Sequence, residues 1–513
     1  MVRVTTAAQA AAMDARAIAA GTPSWSLMEA AGRAAAGVIR ERLAAFLEGG
    51  VVVLAGGGNN GGDGYVVASE LAAGGIGVSV VATAEPATDD ARKARAGLPA
   101  GVGVQTWNDL APGRAEGTLI VDALLGTGAS GAPRGAVADA IAMIARARAA
   151  GVPVVALDIP SGVDATTGAA PGAFVRADLT ITFGTIKRGL LRNRGAAGAI
   201  VAVDIGLGAA SDDDAAPTLV DAGRALDAVP PIGAGANKGT RRKLLVFGGA
   251  AGMAGATILA ARGALRSGVG MVKACVEPPS VVPVQAAEPA ALTAPWPVDD
   301  SALHVYLEWA HGVLLGPGLG LGRASRELAE RVLAAWRGPV VVDADALTVF
   351  EGRPERLAEL LAGRPAVITP HAVEAQRLAG VNAADLDAGR FDAAARLADR
   401  VKATVLLKGV PTVVSDGRRS LVVATGTPVL ATGGSGDILG GVVATLLAQT
   451  GDPLASAASA AWVHGRAAEI AGAGDVRGVT LDDVLDAMRG AWRRTPDPRP
   501  PVLAELPRTG DRA

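Results

Sequence analysis

Short, uncharged runs rich in Val, Ile and Leu recur along this chain, and each stops abruptly at glycine, asparagine or aspartate. VVVLAGGG spans 51–58, GVSVVAT 77–83, GTLIVDALLG 117–126, VPVVALDIPSG 152–162, ADLTITFG 177–184 and AIVAVDIG 199–206. Runs that are apolar at odd and even positions alike read as strands covered on both faces, with the intervening helical segments as the cover. That alternation restricts the chain to a parallel α/β sheet flanked by helices. Two helices, over 5–20 and 24–47, precede the first strand, and the second carries Arg33, Arg40 and Arg42 on its wet side.

The rhythm lapses between about 206 and 239, where GLGAASDDDAAP and VPPIGAGANKG combine Gly, Pro and Asp without periodicity. Such a stretch marks a domain boundary. A single core stops growing near roughly 250–300 residues, and this chain has 513. A second α/β series then runs through KLLVFGGAAG, GVLLGPGLG, PVVVDADAL, PAVITPH and TVLLKG to the helix start GGSGDILGGVV. The expected division is residues 1–215, residues 216–500 and a frayed polar tail over 501–513. The 69 glycines far exceed the usual share of about 7%. They show no collagen-like period, and many fall at strand-to-helix turns, as ligand loops require.

Charge and composition exclude several classes. Lys plus Arg total 48 against 50 for Asp plus Glu, so the net charge draws the chain to neither nucleic acid nor anionic membrane. Aromatic residues at 3% supply no base-stacking platform. The uncharged stretch over 244–261 reaches membrane-span length, but Gly248, Gly249, Gly252 and Gly255 divide it into strand, loop and helix start. A lone Cys275 excludes a disulfide framework or thiolate cage, and no apolar secretory segment stands near Met1. The expected location is the cytoplasm.

In a parallel sheet, ligands bind beyond the carboxyl ends of the strands. After 51–54 comes GGGNNGGDG, whose unshielded amides open a helix suited to a phosphate; Asn59, Asn60 and Asp63 are poor turn filler and point to a ligand. Asp122 and Asp158 each read either as cap or turn residues or as oxygen donors. With Asn60 and Ser161 they form a set of hard oxygens better suited to an alkali cation or water than to zinc. Lys187 is either a surface lysine or a general acid or phosphate contact. In the second half, ATGGSGDILGG at 431–441 puts a run of amides at a helix start with Asp437 one turn inside. The loop is built to hold a developing anion while the carboxylate accepts a proton. Lys408 stands at a strand end where a nucleotide phosphate would lie. His371 reads as structural or as a ligand contact, and Asp343 and Asp345 as caps or as ligands of solvent or metal.

Taken in order and spacing, these segments resemble a known fusion family, a YjeF-type NAD(P)H-hydrate epimerase joined to a ribokinase-like NAD(P)H-hydrate dehydratase. The resemblance rests on MDARAIAAG, LMEAAGRAA, GNNGGDG, VDALLGTG, DIPSGVDATTG and TFGTIKRG in the first half. In the second it rests on NKGT, GMAGATILAARGALRSGVG, GPGLG, VVDADAL, TPH, LLKG and ATGGSGDILGG. It implies a Rossmann-like three-layer sandwich followed by a ribokinase-like α/β domain. The implied activities are epimerisation of the R and S forms of NAD(P)H hydrate and ADP-dependent dehydration of the S epimer, releasing AMP and phosphate. A ribokinase-type kinase of a vitamin precursor, fused to a nucleotide-binding module, is the competing reading; it shares the GSGD loop but gives the NNGGDG domain no role.

Carried over residue by residue, the resemblance implies that Asn59, Asn60, Gly61, Gly62, Asp63 and Asp158 line the first hydrate site. The loop Gly126, Thr127, Gly128, Ala129, Ser130, Gly131 and Ala132 would reach the substrate. Asn60, Asp122 and Ser161 would hold K+, and Asp158 with Lys187 would be the acid/base pair. In the dehydratase, Ala256, Gly318, Gly320 and His371 would surround the hydrate while Asp437 activates its C6 hydroxyl. Lys408, Gly409, Val410, Pro411 and Thr412, with Thr432, Gly433, Gly434, Ser435 and Gly436, would grip ADP with its Mg2+. The implied partners are these small molecules, in a homo-oligomer. Arg241 and Arg242 after NKGT, and Val373 before Glu374, depart from the family pattern.

Overall fold

The computed structural model describes residues 1–107, 119–213, 215–473, 475–496 and 498–509. Residues 117–118 of the third expected strand, Asp214, Asp497 and residues 510–513 of the expected tail lie outside these. The chain forms two compact units, one of Met1–Thr218 together with Pro498–Thr509, the other beginning at Leu219.

The sheet of the first unit runs, from one edge, Gly103–Thr106, Val78–Ala82, Val51–Ala55, Leu119–Ala123, Val154–Leu157, Leu179–Phe183, Ala199–Val203 and Val502–Leu506. All neighbours are parallel except the last pair. Val51–Ala55 is buried at every position, which is why its sequence is apolar throughout; a fully buried Val or Leu contributes about 1.5–3 kcal/mol. Helices Ser24–Arg42 and Asn59–Ala73 cover one face, and Gly135–Ala149 covers the other. The succession of strands reverses between Val51–Ala55 and Leu119–Ala123, so their carboxyl ends open a crevice there.

Two elements depart from expectation. Gly103–Thr106 is an edge strand with mostly exposed side chains, and it lacks the buried apolar signature of the others. The frayed tail over 501–513 is corrected across Val502–Leu506, which pairs antiparallel with Ala199–Val203. Ala504 and Leu506 turn inward while Glu505 turns out to an ion pair with Arg42, an alternation masked in the sequence by the prolines just before it.

At the other end of the unit, Val4–Thr5 pairs in parallel with Ile186–Lys187, placing Thr5 opposite Lys187. Thr5 Oγ1 and Thr185 Oγ1 lie 2.8 Å apart. A capping box between Thr6 and Gln9 then starts the helix Ala7–Ala19. The first helix is thus tied to the strand that carries Lys187.

The second unit repeats the arrangement. Its sheet runs Leu292–Pro295, Met271–Val276, Lys243–Phe247, Gly312–Leu315, Val340–Val342, Ala366–Ile368 and Thr404–Leu407, closed by the antiparallel strands Thr412–Ser415 and Ser420–Val423 and the short Thr218–Leu219. The reversal lies between Lys243–Phe247 and Gly312–Leu315. The uncharged stretch over 244–261 is divided between that first strand and the helix Ala254–Arg266. Among the described residues no helix is long and apolar enough to cross a membrane. Ala254–Arg266 packs closely on Ser435–Thr450: a Cβ on Gly441 would fall 2.0 Å from the Ala260 carbonyl oxygen.

Candidate active sites

The crevice of the first unit is a cleft of about 570 Å³. Its floor is the turn from Val51–Ala55 into the helix Asn59–Ala73. A Cβ on Gly61 would lie 1.9 Å from the Gly56 carbonyl oxygen, so only glycine lets the turn fold this tightly. Gly58 caps the helix without a side-chain bond, leaving the first-turn amides for a ligand. Asn59, Asn60 and Asp63 face the cleft. Gly61 and Gly62, expected to line it, instead meet Gly56 and Met28 at their backs; their contribution is closeness of packing. Gly126, Thr127, Gly128 and Ala129 reach the cleft, while Ser130 and Gly131 line a smaller neighbouring cavity of about 110 Å³. Ala132 lines neither cavity and packs against Gly172.

Asn60 and Ser161 converge on the backbone of Leu125, and Asp122 joins them through Ser161. Asn60 Nδ2 donates to Leu125 O at 2.9 Å, and Leu125 N–H donates to Ser161 Oγ at 2.9 Å. Ser161 Oγ donates to Asp122 Oδ1 at 2.6 Å, and the Ser161 amide to Oδ2 at 2.8 Å. Burial raises the Asp122 carboxyl to about 6, against the hydrogen bonds from Ser161 and Leu124. Asn60 Oδ1 is buried without a hydrogen-bond partner, an acceptor in want of a donor or cation. A hard oxygen set with one orphaned carbonyl and one buried carboxylate fits a monovalent cation.

Beside this set stands the pair Asp158–Lys187, 2.5 Å apart. Asp158 adopts a φ of +62°, a conformation that aspartate tolerates better than most residues. Its amide is fixed by Ile181 O at 2.7 Å. Lys187 Nζ is buried and also meets Phe183 O at 2.9 Å, Thr182 Oγ1 at 3.2 Å and Thr185 O at 3.3 Å. Four acceptors thus surround an ammonium with three protons. Asp63, in the same cleft, is pushed well above the usual carboxyl range by burial first and then by the charges of Asp158 and Asp14, with Lys187 opposing. Asp14, on the first helix, also lines the cleft. It lay outside the candidates read from sequence, because it sits mid-helix among alanines with no loop to mark it.

In the second unit the ends of the strands Val340–Val342, Ala366–Ile368 and Thr404–Leu407 bring Asp343, Glu374 and Lys408 together beside Asp437. Lys408 Nζ donates to Asp343 Oδ1 at 3.0 Å and lies 3.6 Å from Glu374 Oε2. Burial disfavours this ammonium, yet Asp343, Glu374 and Asp437 outweigh burial and raise its pKa. Asp437, in the first turn of Ser435–Thr450, is raised to about 7 by burial and then by the negative charge of Asp343, with Lys408 opposing. A carboxyl poised there is matched to proton transfer near neutrality. A Cβ on Gly436 would come 3.4 Å from Lys408 Nζ, so the lysine lies beside the amide-lined helix start.

His371 caps its helix, its Nδ1 accepting from the Val373 and Glu374 amides at 3.1 and 3.3 Å, while Glu374 Oε2 accepts from the His371 amide at 2.8 Å. Its ring remains half-exposed at the strand end. Gly318 approaches Met253 and Ala256, and Gly320 N–H donates to Asp345 Oδ2 at 2.8 Å, which leaves Asp345 as a loop anchor. The turn Gly409–Thr412 rests on the buried Arg390, which donates to Pro411 O at 2.5 Å. No sequence signal marked Arg390. Of the departures, Arg241 donates to Gly268 O at 2.9 Å, Arg242 takes a φ of +72°, and Val373 is exposed; none of these displaces the four clustered groups. Cys275 is buried, its thiol raised to about 12 by burial.

Two family profiles match the chain, one described as YjeF-related protein N-terminus over residues 24–189 and one as NAD(P)H-hydrate dehydratase over residues 244–489. Among solved structures, the ADP/ATP-dependent NAD(P)H-hydrate dehydratase of Bacillus subtilis, co-crystallised with ATP/Mg2+, covers 54% of this chain and 98% of its own at 25% identity and a TM-score of 0.48. The Bifunctional NAD(P)H-hydrate repair enzyme Nnr of Escherichia coli (strain K12) is 35% identical over 435 residues, 83% of this chain and 82% of that protein. The protein of the same name from Salinibacter ruber is 37% identical over 504 residues, 91% of each. Both alignments cover more than four fifths of this chain and of the relative, so the chain belongs to the family of bifunctional NAD(P)H-hydrate repair enzymes.

Proposed function

We infer that the first unit interconverts the R and S epimers of NADH or NADPH hydrate, and that the second dehydrates the S epimer with ADP to give NAD(P)H, AMP and phosphate. The observation that carries this reading is the contrast between the polar clusters of the two units. One joins the Asp158–Lys187 pair to a hard-oxygen set with the orphaned Asn60 Oδ1, and the other sets Asp437, raised to about 7, beside Lys408 at an amide-lined helix start.

In the dehydratase, Asp437 takes the proton of the C6 hydroxyl as that oxygen attacks the terminal phosphoryl group of ADP, releasing AMP. The amides of Gly433–Gly436 and the neighbouring Lys408 hold the charge that develops on the transferring group. Phosphate then leaves from C6 while a proton is lost from C5, restoring the double bond. Phosphate leaves where hydroxide does not, which is why a kinase-type fold serves a lyase. Mg2+ arriving with the nucleotide supplies further neutralisation of the phosphates. Ala256, Gly318, Gly320 and His371 border the hydrate, and Lys408–Thr412 with Thr432–Gly436 border the nucleotide.

In the epimerase, the first-turn amides of Asn59 and Asn60 receive the dinucleotide phosphates, and the loop Gly126–Gly131 closes one side. Asp158, oriented by Lys187, presents Oδ2 to the hydrate. Asn60 Oδ1, Asp122 and Ser161 would hold K+, which would supply a fixed positive charge to the site. Epimerisation at C6 requires that one group give a proton and another take one. The direct test is to incubate a single purified epimer without nucleotide and separate the products: the second epimer is expected at a rate proportional to protein. Its absence above the protein-free rate would overturn the epimerase assignment.

A further inference from the structure

We propose that Asp14, on the helix Ala7–Ala19, is the carboxylate that takes a proton from the incoming water when the hydrate epimerises, and that Asp63 is the carboxyl that gives one to the departing hydroxyl. This rests on the epimerase reading above. Asp14 lies outside residues 24–189, the part of the unit that the family profile matches.

The argument begins with Lys187. Its ammonium meets Asp158 Oδ1, Phe183 O, Thr182 Oγ1 and Thr185 O, more acceptors than it has protons. It is therefore a positioning residue, and proton donation falls to another group. Asp158 Oδ1 in turn accepts from Lys187, from Thr182 Oγ1 at 3.2 Å and from the Phe183 amide at 3.3 Å. The cleft holds three further ionisable groups, Asp14, Asp63 and Asp90. Neither the Asp14 nor the Asp63 carboxyl makes a hydrogen bond among the described residues, and each senses the charge of the Asp158–Lys187 pair. Asp63 is enclosed and Asp14 exposed, so the first suits a group hidden behind bound substrate and the second suits the side from which water enters. The pairing of Val4–Thr5 with Ile186–Lys187 ties the helix that carries Asp14 to the strand that carries Lys187.

The step balances without an oxidant or reductant. The C6–O bond breaks as the ring-nitrogen lone pair forms an iminium with C6, and the Asp63 proton leaves with the hydroxyl as water. A solvent water then forms the new C6–O bond from the other face, the electron pair returns to nitrogen, and the surplus proton passes to Asp14. The carboxyls end with exchanged protonation, ready for the reverse reaction.

The test measures steady-state epimer exchange in full-length wild type, Asp14→Asn and Asp14→Glu. Dehydration of the S epimer by the same chain, together with the melting temperature, serves as the control for folding. Asn is expected to lower kcat about 100-fold with KM within threefold, and Glu, which keeps the carboxyl, to stay within tenfold of wild type. A loss in kcat of less than tenfold for Asn, a loss confined to KM, or equal loss in Asn and Glu overturns the proposal. Absence of exchange in wild type would instead overturn the epimerase reading itself.

Discussion

At the scale of single residues, both sites are built from carboxyls whose neighbours decide what they do. In the proposed dehydration Asp437 must be ionised to accept the hydroxyl proton, and burial with Asp343 nearby raises it to about 7. The raised value means that the ionised fraction falls as pH drops through about 7, so dehydration is expected to decline tenfold per pH unit below it. A kcat profile flat between pH 5.5 and 8 would contradict this. Lys187→Met leaves Asp158 with its charge uncompensated in a largely enclosed site, and breaking such a pair costs about 3 kcal/mol. Thermal unfolding should show the first unit destabilised by that order while the second melts as before. The loop residues Asn59, Asn60, Asp63 and Asp437 were legible in the sequence because amides and acids in a glycine loop are chemically unusual. Asp14 was not legible, since its place depends on how a two-residue strand suspends its helix. For Lys187 the residue was legible, and the four acceptors around its ammonium were not, since the fold alone brings them together.

Among elements, close approach and edge pairing carry the most consequence. Gly441→Ala would set a methyl group against the Ala260 carbonyl, forcing the helices Ala254–Arg266 and Ser435–Thr450 apart. Overpacking of this kind costs about 1–3 kcal/mol. It would also shift the amides that precede Asp437, so dehydration is expected to fall more than stability alone explains; unchanged turnover in the folded variant would show that helix spacing does not set the loop. Buried strands such as Val51–Ala55 and Lys243–Phe247 could be read directly because burial on both faces leaves no polar position. Gly103–Thr106 and Val502–Leu506 could not, one being exposed at a sheet edge and the other pairing with a strand some 300 residues earlier, Ala199–Val203. Removing residues 498–509 uncovers that edge, and the first unit is expected to lose thermal stability and epimer exchange while dehydration persists.

At the scale of the whole molecule, the strand order reverses at the same point in both units, and in the first the reversal opens a cleft behind the Gly-rich loop. The two units hold different polar clusters on similar frames, which the motifs of each half already distinguished. Because each proposed catalytic set lies within its own unit, Asp437→Asn should abolish dehydration and leave epimer exchange at the wild-type rate. Loss of both in a folded variant would contradict independent sites. The central claim, that the two sites act in turn on one damaged cofactor, is tested most directly with the purified R epimer of NADH hydrate. Full-length protein with ADP or ATP, side by side, should restore NADH absorbance from R as completely as from S, with ADP the effective nucleotide, and Asp437→Asn should yield S without NADH. No recovery of NADH from either epimer with either nucleotide would contradict the account.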